Sequence, residues 1–137
     1  MKAIKNSFKI LIVDDMPEDQ ELYKRLLALD AGNKFTITTA DTGEEGLERL
    51  HKLGPDCVIL DYNLPDMNGL TFLSFLHEEE RPSPVAVFMV TGEGNETVAV
   101  QAMKKGAQDY LVKDSIKFEQ MQRAVANAIE KVGLVKE

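Results

Sequence analysis

The sequence predicts one α/β domain: a five-stranded parallel sheet, doubly wound, with helices on both faces in a three-layer α/β/α stack. Three observations lead there. Short apolar, often β-branched runs recur along the chain. Segments with apolar residues at helical spacing stand between them, and Gly, Pro, Asn or Asp punctuates the connections. Strands that alternate with helices imply a parallel sheet covered on both sides.

FKILIV (8–13) reads as a first strand, apolar throughout as in a strand buried on both faces. Pro17 opens a helix with acidic residues in its first turn and Leu22, Leu26 and Leu29 at helical spacing. Asn33 to Thr39 is a second strand, rich in Thr and Ile. Thr42 caps a helix carrying Leu47 and Leu50, which ends near Gly54-Pro55. DCVILD (56–61) is strand three. Gly69 precedes a helix with Leu70, Leu73, Phe75 and Leu76, broken at EEERPSP. Val85 to Val90 is strand four, and Asn95 begins a helix holding Val98, Met103 and Gly106. Tyr110 to Val112 is a short fifth strand, and a last helix runs from about Ile116.

At 137 residues the chain is long enough for one core without disulfides or structural metals. Sixteen basic against twenty-three acidic residues give a net charge of -7, which argues against direct nucleic-acid binding. One cysteine excludes an internal disulfide and fits a reducing compartment. No apolar run is long enough for membrane insertion, and MKAIKNSF lacks the apolar stretch of a secretion signal. The expected location is the cytoplasm.

Ligands of open α/β sheets bind beyond the carboxyl ends of the strands. Asp14 and Asp15 follow strand one, Asp61 ends strand three, Thr91 and Gly92 follow strand four, and Lys113 follows strand five. If the strands are parallel and adjacent, three carboxylates, a hydroxyl and an ammonium converge on one edge. Carboxylates so placed raise each other's pKa unless a cation joins them, and Mg2+ is a suitable small hard cation. Lys113 suits a second anion such as a phosphoryl group, to which Thr91 can donate a hydrogen bond. A carboxylate can itself accept that group.

Each residue also has a plainer reading. Asp14 and Asp15 can cap a helix, Asp61 can cap the Tyr62-Asn63-Leu64-Pro65 turn, Thr91 can be a turn hydroxyl and Lys113 a solvated charge. Joint placement at four strand ends favours a single site over four coincidences.

With ILIVDD, VILDYNLPDMNG, VFMVTG and DYLVKD in this order and spacing, the chain resembles the response-regulator receiver domains of bacterial two-component signalling, chemotaxis regulators among them. The likeness runs from about Phe8 to the last helix. It implies a flavodoxin-like (βα)5 fold and a receiver domain over residues 1–137, with 116–137 as last helix and potential linker to a further domain. It implies that Asp61 is the phosphoacceptor, with Asp14, Asp15, Asp61 and the Asn63 backbone carbonyl at Mg2+ (or Mn2+). Lys113 would pair with the phosphoryl oxygens, and Thr91 and Tyr110 match the switch pair that reshapes the surface of the fourth helix, fifth strand and fifth helix. Asn63 and Glu93 occupy the positions that tune phosphoryl lifetime, and their polarity implies fairly rapid self-dephosphorylation. The implied partners are a histidine kinase or phosphotransfer protein and a downstream protein or fused output domain, with homodimerisation a further option. One departure stands out: where the family usually has Pro, commonly behind a cis bond, this chain has Asp114, and a non-proline cis bond costs about 2.5–4 kcal/mol.

Other features carry less. Gly92-Glu93-Gly94 lacks the rest of a nucleotide-binding loop, Cys57 reads as inert core, and His51 and His77 read as surface residues. Phe118, Met121, Val125, Ala128, Val132 and Val135 form a stripe that suits packing on the sheet or, less readily, a coiled coil. Three functions remain: a phosphorylation switch with no enzymatic role beyond its own phosphorylation and dephosphorylation, a Mg2+-dependent small-molecule phosphatase or phosphotransferase, and a phosphorylation-independent binding module. The intact acidic set and the absence of a D-x-D motif after strand one favour the switch.

Overall fold

A computed structural model describes residues 7–30, 32–78, 85–92, 96–113 and 118–136. Strands β1 (Ser7–Val13), β2 (Lys34–Ala40), β3 (Cys57–Asp61), β4 (Ala86–Thr91) and β5 (Asp109–Val112) alternate with helices. These are α1 (Pro17–Ala28), α2 (Gly43–Leu53), α3 (Gly69–Glu78), α4 (Glu96–Lys104) and α5 (Phe118–Lys136). All strand pairings are parallel, in the order β2-β1-β3-β4-β5. That is the doubly wound, flavodoxin-like order, and its direction reverses between β1 and β3.

Strand polarity explains the three layers. Every residue of β3 and β4 is buried, because both strands lie inside the sheet with helices on either side. Successive strand residues point to opposite faces. Ile10, Ile12, Ile59 and Phe88 accordingly pack with Tyr23, Leu27 and Met121 on one face. Leu11, Val13, Val58, Leu60 and Met89 pack with Leu50, Phe72, Leu73 and Ala102 on the other. Thus α1 and α5 cover one face and α2, α3 and α4 cover the other.

Several local expectations are met. The Thr42 hydroxyl accepts the Glu45 N–H at 3.0 Å and caps α2, and Gly54 closes that helix. Met121 and Val125 are buried and α5 contacts β3, β4 and α1, so this part of the stripe packs within the domain. Cys57 is fully buried, and burial holds its thiol well above the usual range.

Some helix faces differ from expectation. Leu29 lies past the end of α1 and is 60% exposed, whereas Tyr23 and Leu27 are buried. Phe75 and Met103 are exposed, and Phe72 and Ala102 take the core positions. Spacings of three and four generate more than one apolar stripe on each helix, and only contact with the sheet selects between them. Gly106 follows α4 rather than lying in it. His77 is exposed, as expected of a surface residue, and its Nε2 is hydrogen-bonded to the Lys105 carbonyl oxygen. Glu93, Asn95, Asp114, Ile116 and most of the EEERPSP loop lie outside the described residues. So do the side chains of Phe118, Ala128, Val132 and Val135. No helix among the described residues is long and apolar enough to cross a membrane.

Candidate functional site

The register of the two central strands builds the site. Val13 pairs with Leu60, so Asp14 and Asp61 leave neighbouring strands side by side at the point where the strand order reverses. Asp61 pairs with Val90, which puts Thr91 one residue further along the adjacent strand. Lys113 follows directly on β5. Asp14, Asp15 and Asp61 each offer a carboxylate oxygen, and these oxygens lie within 4.8 Å of one another. Asp14 and Asp61 are buried, and Asp15 is the more open of the three.

Turn chemistry and site geometry are the same hydrogen bonds here. Asp14 Oδ1 accepts the Met16 N–H at 2.9 Å, and the Asp61 carboxylate accepts the Asn63 N–H. Asp61 thus serves its turn as its plainer reading expects, whereas Asp14 does not cap α1, whose N-cap is Met16 without a side-chain cap; both bonds also fix where the remaining carboxylate oxygens point. Gly69 completes the floor of the site. Its N–H donates to the Tyr62 carbonyl at 2.7 Å, and a Cβ there would meet Met89 Cε at 2.8 Å and the Asp61 carbonyl at 3.2 Å. A side chain there would require Met89 Cε and the backbone at the end of β3 to give way.

Lys113 Nζ lies 3.3 Å from Asp14 Oδ2 and 3.3 Å from Asp61 Oδ1. Its shortest contact is to a residue that sequence reasoning missed, Asp19 Oδ2 at 2.6 Å. In the sequence Asp19 looks like an ordinary dipole partner in the first turn of α1. No local signal ties it to a lysine 94 positions away. Two further supports also escaped notice. Tyr23 is buried and its hydroxyl donates to Asp14 Oδ2 at 3.4 Å, while Gln20 Nε2 donates to the Asp14 carbonyl at 2.5 Å.

The charges do not balance. Burial raises the Asp14 carboxyl to about 6, with Asp61 adding to the shift and the Met16 N–H and Lys113 opposing it. Burial likewise raises Asp61, against the opposing pull of Lys113 and the Asn63 N–H. Burial alone would lower the Lys113 ammonium, but the Asp19 hydrogen bond and the charges of Asp14, Asp61 and Asp19 hold it above the lysine range. Asp14, Asp61 and Asp19 share one ammonium, and Asp15 adds a further carboxylate to the cluster, so the set is rich in oxygen and carries surplus negative charge. Such a set fits a small hard divalent cation.

The other expected residues fall nearby in the fold. Thr91 is buried at the end of β4. Tyr110 is paired in register with Met89 and is partly buried against the core under α3 and α4. Asn63 forms an isolated bridge with Asn68 in the turn after β3.

Fold and site together define an α/β domain with an acidic, lysine-bearing edge at the switch point of its sheet. Residues 10–126 match the family model of the response regulator receiver domain. The chain belongs to that family, the receiver domains of two-component signalling. It is 38% identical over 106 residues to the chemotaxis protein CheY of Pseudomonas aeruginosa, covering 77% of this chain and 83% of that one. It is 38% identical over 105 residues to the nitrate/nitrite response regulator protein NarL of Escherichia coli K12, covering 77% of this chain. The matched part spans about half of NarL, 47% of its length. A response regulator receiver domain protein from Clostridium thermocellum superposes with a TM-score of 0.80 at 31% identity, covering 93% of this chain and 98% of that one. Receiver domains are in general phosphorylation switches that bind Mg2+ at a cluster of acidic residues, and the acidic cluster is present here.

Proposed function

We propose that Asp61 is the phosphoacceptor of a signalling switch that takes its phosphoryl group from a histidine kinase or a phosphotransfer protein. The observation that supports this reading best is the setting of its carboxylate: buried, clustered with those of Asp14 and Asp15, and 3.3 Å from the Lys113 ammonium. In this scheme an Asp61 oxygen attacks phosphorus and the P–N bond of a phosphohistidine breaks. The electron pair leaves on the imidazole, which keeps or takes up a proton. Water later attacks the same phosphorus, the bond to Asp61 breaks, and inorganic phosphate and the free carboxylate return.

Asp14, Asp15, Asp61 and the Asn63 backbone carbonyl would hold Mg2+ (or Mn2+), which when bound offsets negative charge on the transferring group. Lys113 donates to the phosphoryl oxygens, and Thr91 donates a second hydrogen bond from the neighbouring strand. In donating that bond Thr91 moves onto the phosphoryl group, Tyr110 turns inward, and the α4-β5-α5 surface changes, which a downstream protein or fused output domain reads. Asn63 and Glu93 orient the attacking water and set the lifetime. Residues 1–137 act as one receiver domain in the cytoplasm, with α5 as its lead toward any further domain and the α4-β5-α5 face as the place for homodimerisation.

Acetyl phosphate with Mg2+, followed by intact-mass measurement, tests the reading. Wild type is expected to gain the mass of one phosphoryl group and Asp61→Asn is expected to gain none. An adduct at the wild-type level in Asp61→Asn would remove Asp61 from the role, and turnover of many small phosphate esters would favour an enzyme instead.

A further inference from the structure

We infer that Asp19 is a positioning residue for Lys113: its carboxylate draws the ammonium off Asp61 and leaves an Asp61 oxygen open to phosphorus. The inference rests on the function proposed above for Asp61 and Lys113. It begins from an inequality of distances. Lys113 Nζ is 2.6 Å from Asp19 and 3.3 Å from both Asp14 and Asp61. The first is a short charge-assisted hydrogen bond, and the other two are longer ion pairs.

Placement of Asp19 is rigid. It is the third residue of α1, and its N–H donates to the Met16 carbonyl at 3.1 Å. The same turn supplies the Met16 N–H that orients Asp14. The first turn of α1 therefore carries an anchor for Lys113 and a support for Asp14 on one short piece of backbone.

Competition supplies the function. A lysine ammonium has three donors on a flexible stem and is drawn to whichever carboxylate is cheapest to approach. Asp61 is 4% exposed at its side chain and Asp19 is 25% exposed. Without Asp19, Lys113 closes on Asp61, and an ammonium bonded tightly to the nucleophilic oxygens occupies the lone pairs that must reach phosphorus. With Asp19 present, one donor is anchored and the ammonium stands 3.3 Å from both Asp14 and Asp61, near where phosphoryl oxygens would arrive. Asp19 need not touch the transferring group to do this; it acts through Lys113.

The test follows phosphorylation by acetyl phosphate with Mg2+ in wild type, Asp19→Asn and Asp19→Glu, each also in a Lys113→Gln background. Asp19→Asn is expected to slow adduct formation about tenfold, the size that one charge-assisted hydrogen bond supports. Asp19→Glu is expected to recover part of the rate, and Asp19→Asn should cost nothing further once Lys113 is Gln. Far-ultraviolet circular dichroism checks that each variant is folded. A second arm uses no phosphodonor: the Lys113 ammonium resonance by nitrogen-detected NMR should move more in Asp19→Asn than in Asp61→Asn. A wild-type rate in Asp19→Asn, an equal fractional loss in the Lys113→Gln background, or an ammonium resonance unmoved by Asp19→Asn would overturn the inference. A wild-type protein that takes no phosphoryl group would overturn the role of Asp61 instead, and the NMR arm would still decide whether Asp19 anchors Lys113.

Discussion

Asp14→Asn is expected to stabilise the metal-free protein, although Asp14 sits at the centre of the site. Burial raises the Asp14 carboxyl from 3.8 to about 6, so its ionised form is disfavoured in the folded state. At about 1.4 kcal/mol per pH unit, full ionisation costs about 3 kcal/mol. Asn removes that charge and can still accept the Met16 N–H through its side-chain oxygen. The expected gain at about pH 8 is roughly 2–3 kcal/mol, or about 6–12 °C in Tm for a domain of this size. The pH dependence carries a definite sign. Between the unfolded value near 3.8 and the folded value near 6, the native state binds more protons than the unfolded chain. Wild-type stability therefore rises as pH falls through about 6, and the advantage of the variant shrinks and is gone near pH 4. Thermal or urea unfolding of both proteins with a chelator, at several pH values, measures this directly. Adding excess Mg2+ should then reverse the ranking, because only the wild type keeps its full set of carboxylates for the ion to stabilise. An Asn variant less stable than wild type at pH 8 without metal, or equally favoured at every pH, would refute the reasoning.

Other consequences are testable with simple variants. Asp66 Oδ1 and Oδ2 accept the Gly43 and Glu44 N–H groups at 2.8 and 3.0 Å, so Asp66→Ala should cost about 1–2 kcal/mol in urea unfolding; no change would show the cap to be dispensable. A Cβ on Gly46 would meet the two Val13 methyls at 2.8 and 2.9 Å, so Gly46→Ala should destabilise by about 1–3 kcal/mol, and a neutral result would mean that α2 can move off β1. Burial, followed by the charges of Asp14, Asp19 and Asp61, holds the Tyr23 phenol far above the tyrosine range. Tyr23 should resist alkaline titration by ultraviolet absorbance until the protein unfolds, and Tyr23→Phe should remove its contribution to that late phase.

Strand residues were legible because central parallel strands are buried on both faces and must read as unbroken apolar runs, as CVILD and AVFMVT do. The chemistry at their ends was legible for a related reason. Parallel strands bring their carboxyl ends to one edge, so Asp14, Asp15, Asp61, Thr91 and Lys113 could be grouped once the strands were recognised. Helix faces were less legible. Leu29, Phe75 and Met103 satisfy helical spacing as well as the buried residues do, and only tertiary contact separates them. Least legible were the supports of the site. Asp19 and Asp66 are unremarkable as a first-turn acid and a turn residue, yet each side chain bonds a partner distant in sequence, Asp19 to Lys113 and Asp66 to the start of α2. Tyr23 read as neither core nor site, because its phenol belongs to both.

Trapping the phosphorylated protein with borohydride tests the central claim most directly. Reduction of an aspartyl-phosphate converts that residue to homoserine, which peptide mass spectrometry locates. After acetyl phosphate and Mg2+, homoserine is expected at position 61 and nowhere else. Homoserine at Asp14, Asp15 or another carboxylate, or its complete absence from a protein that had gained a phosphoryl group, would contradict the account.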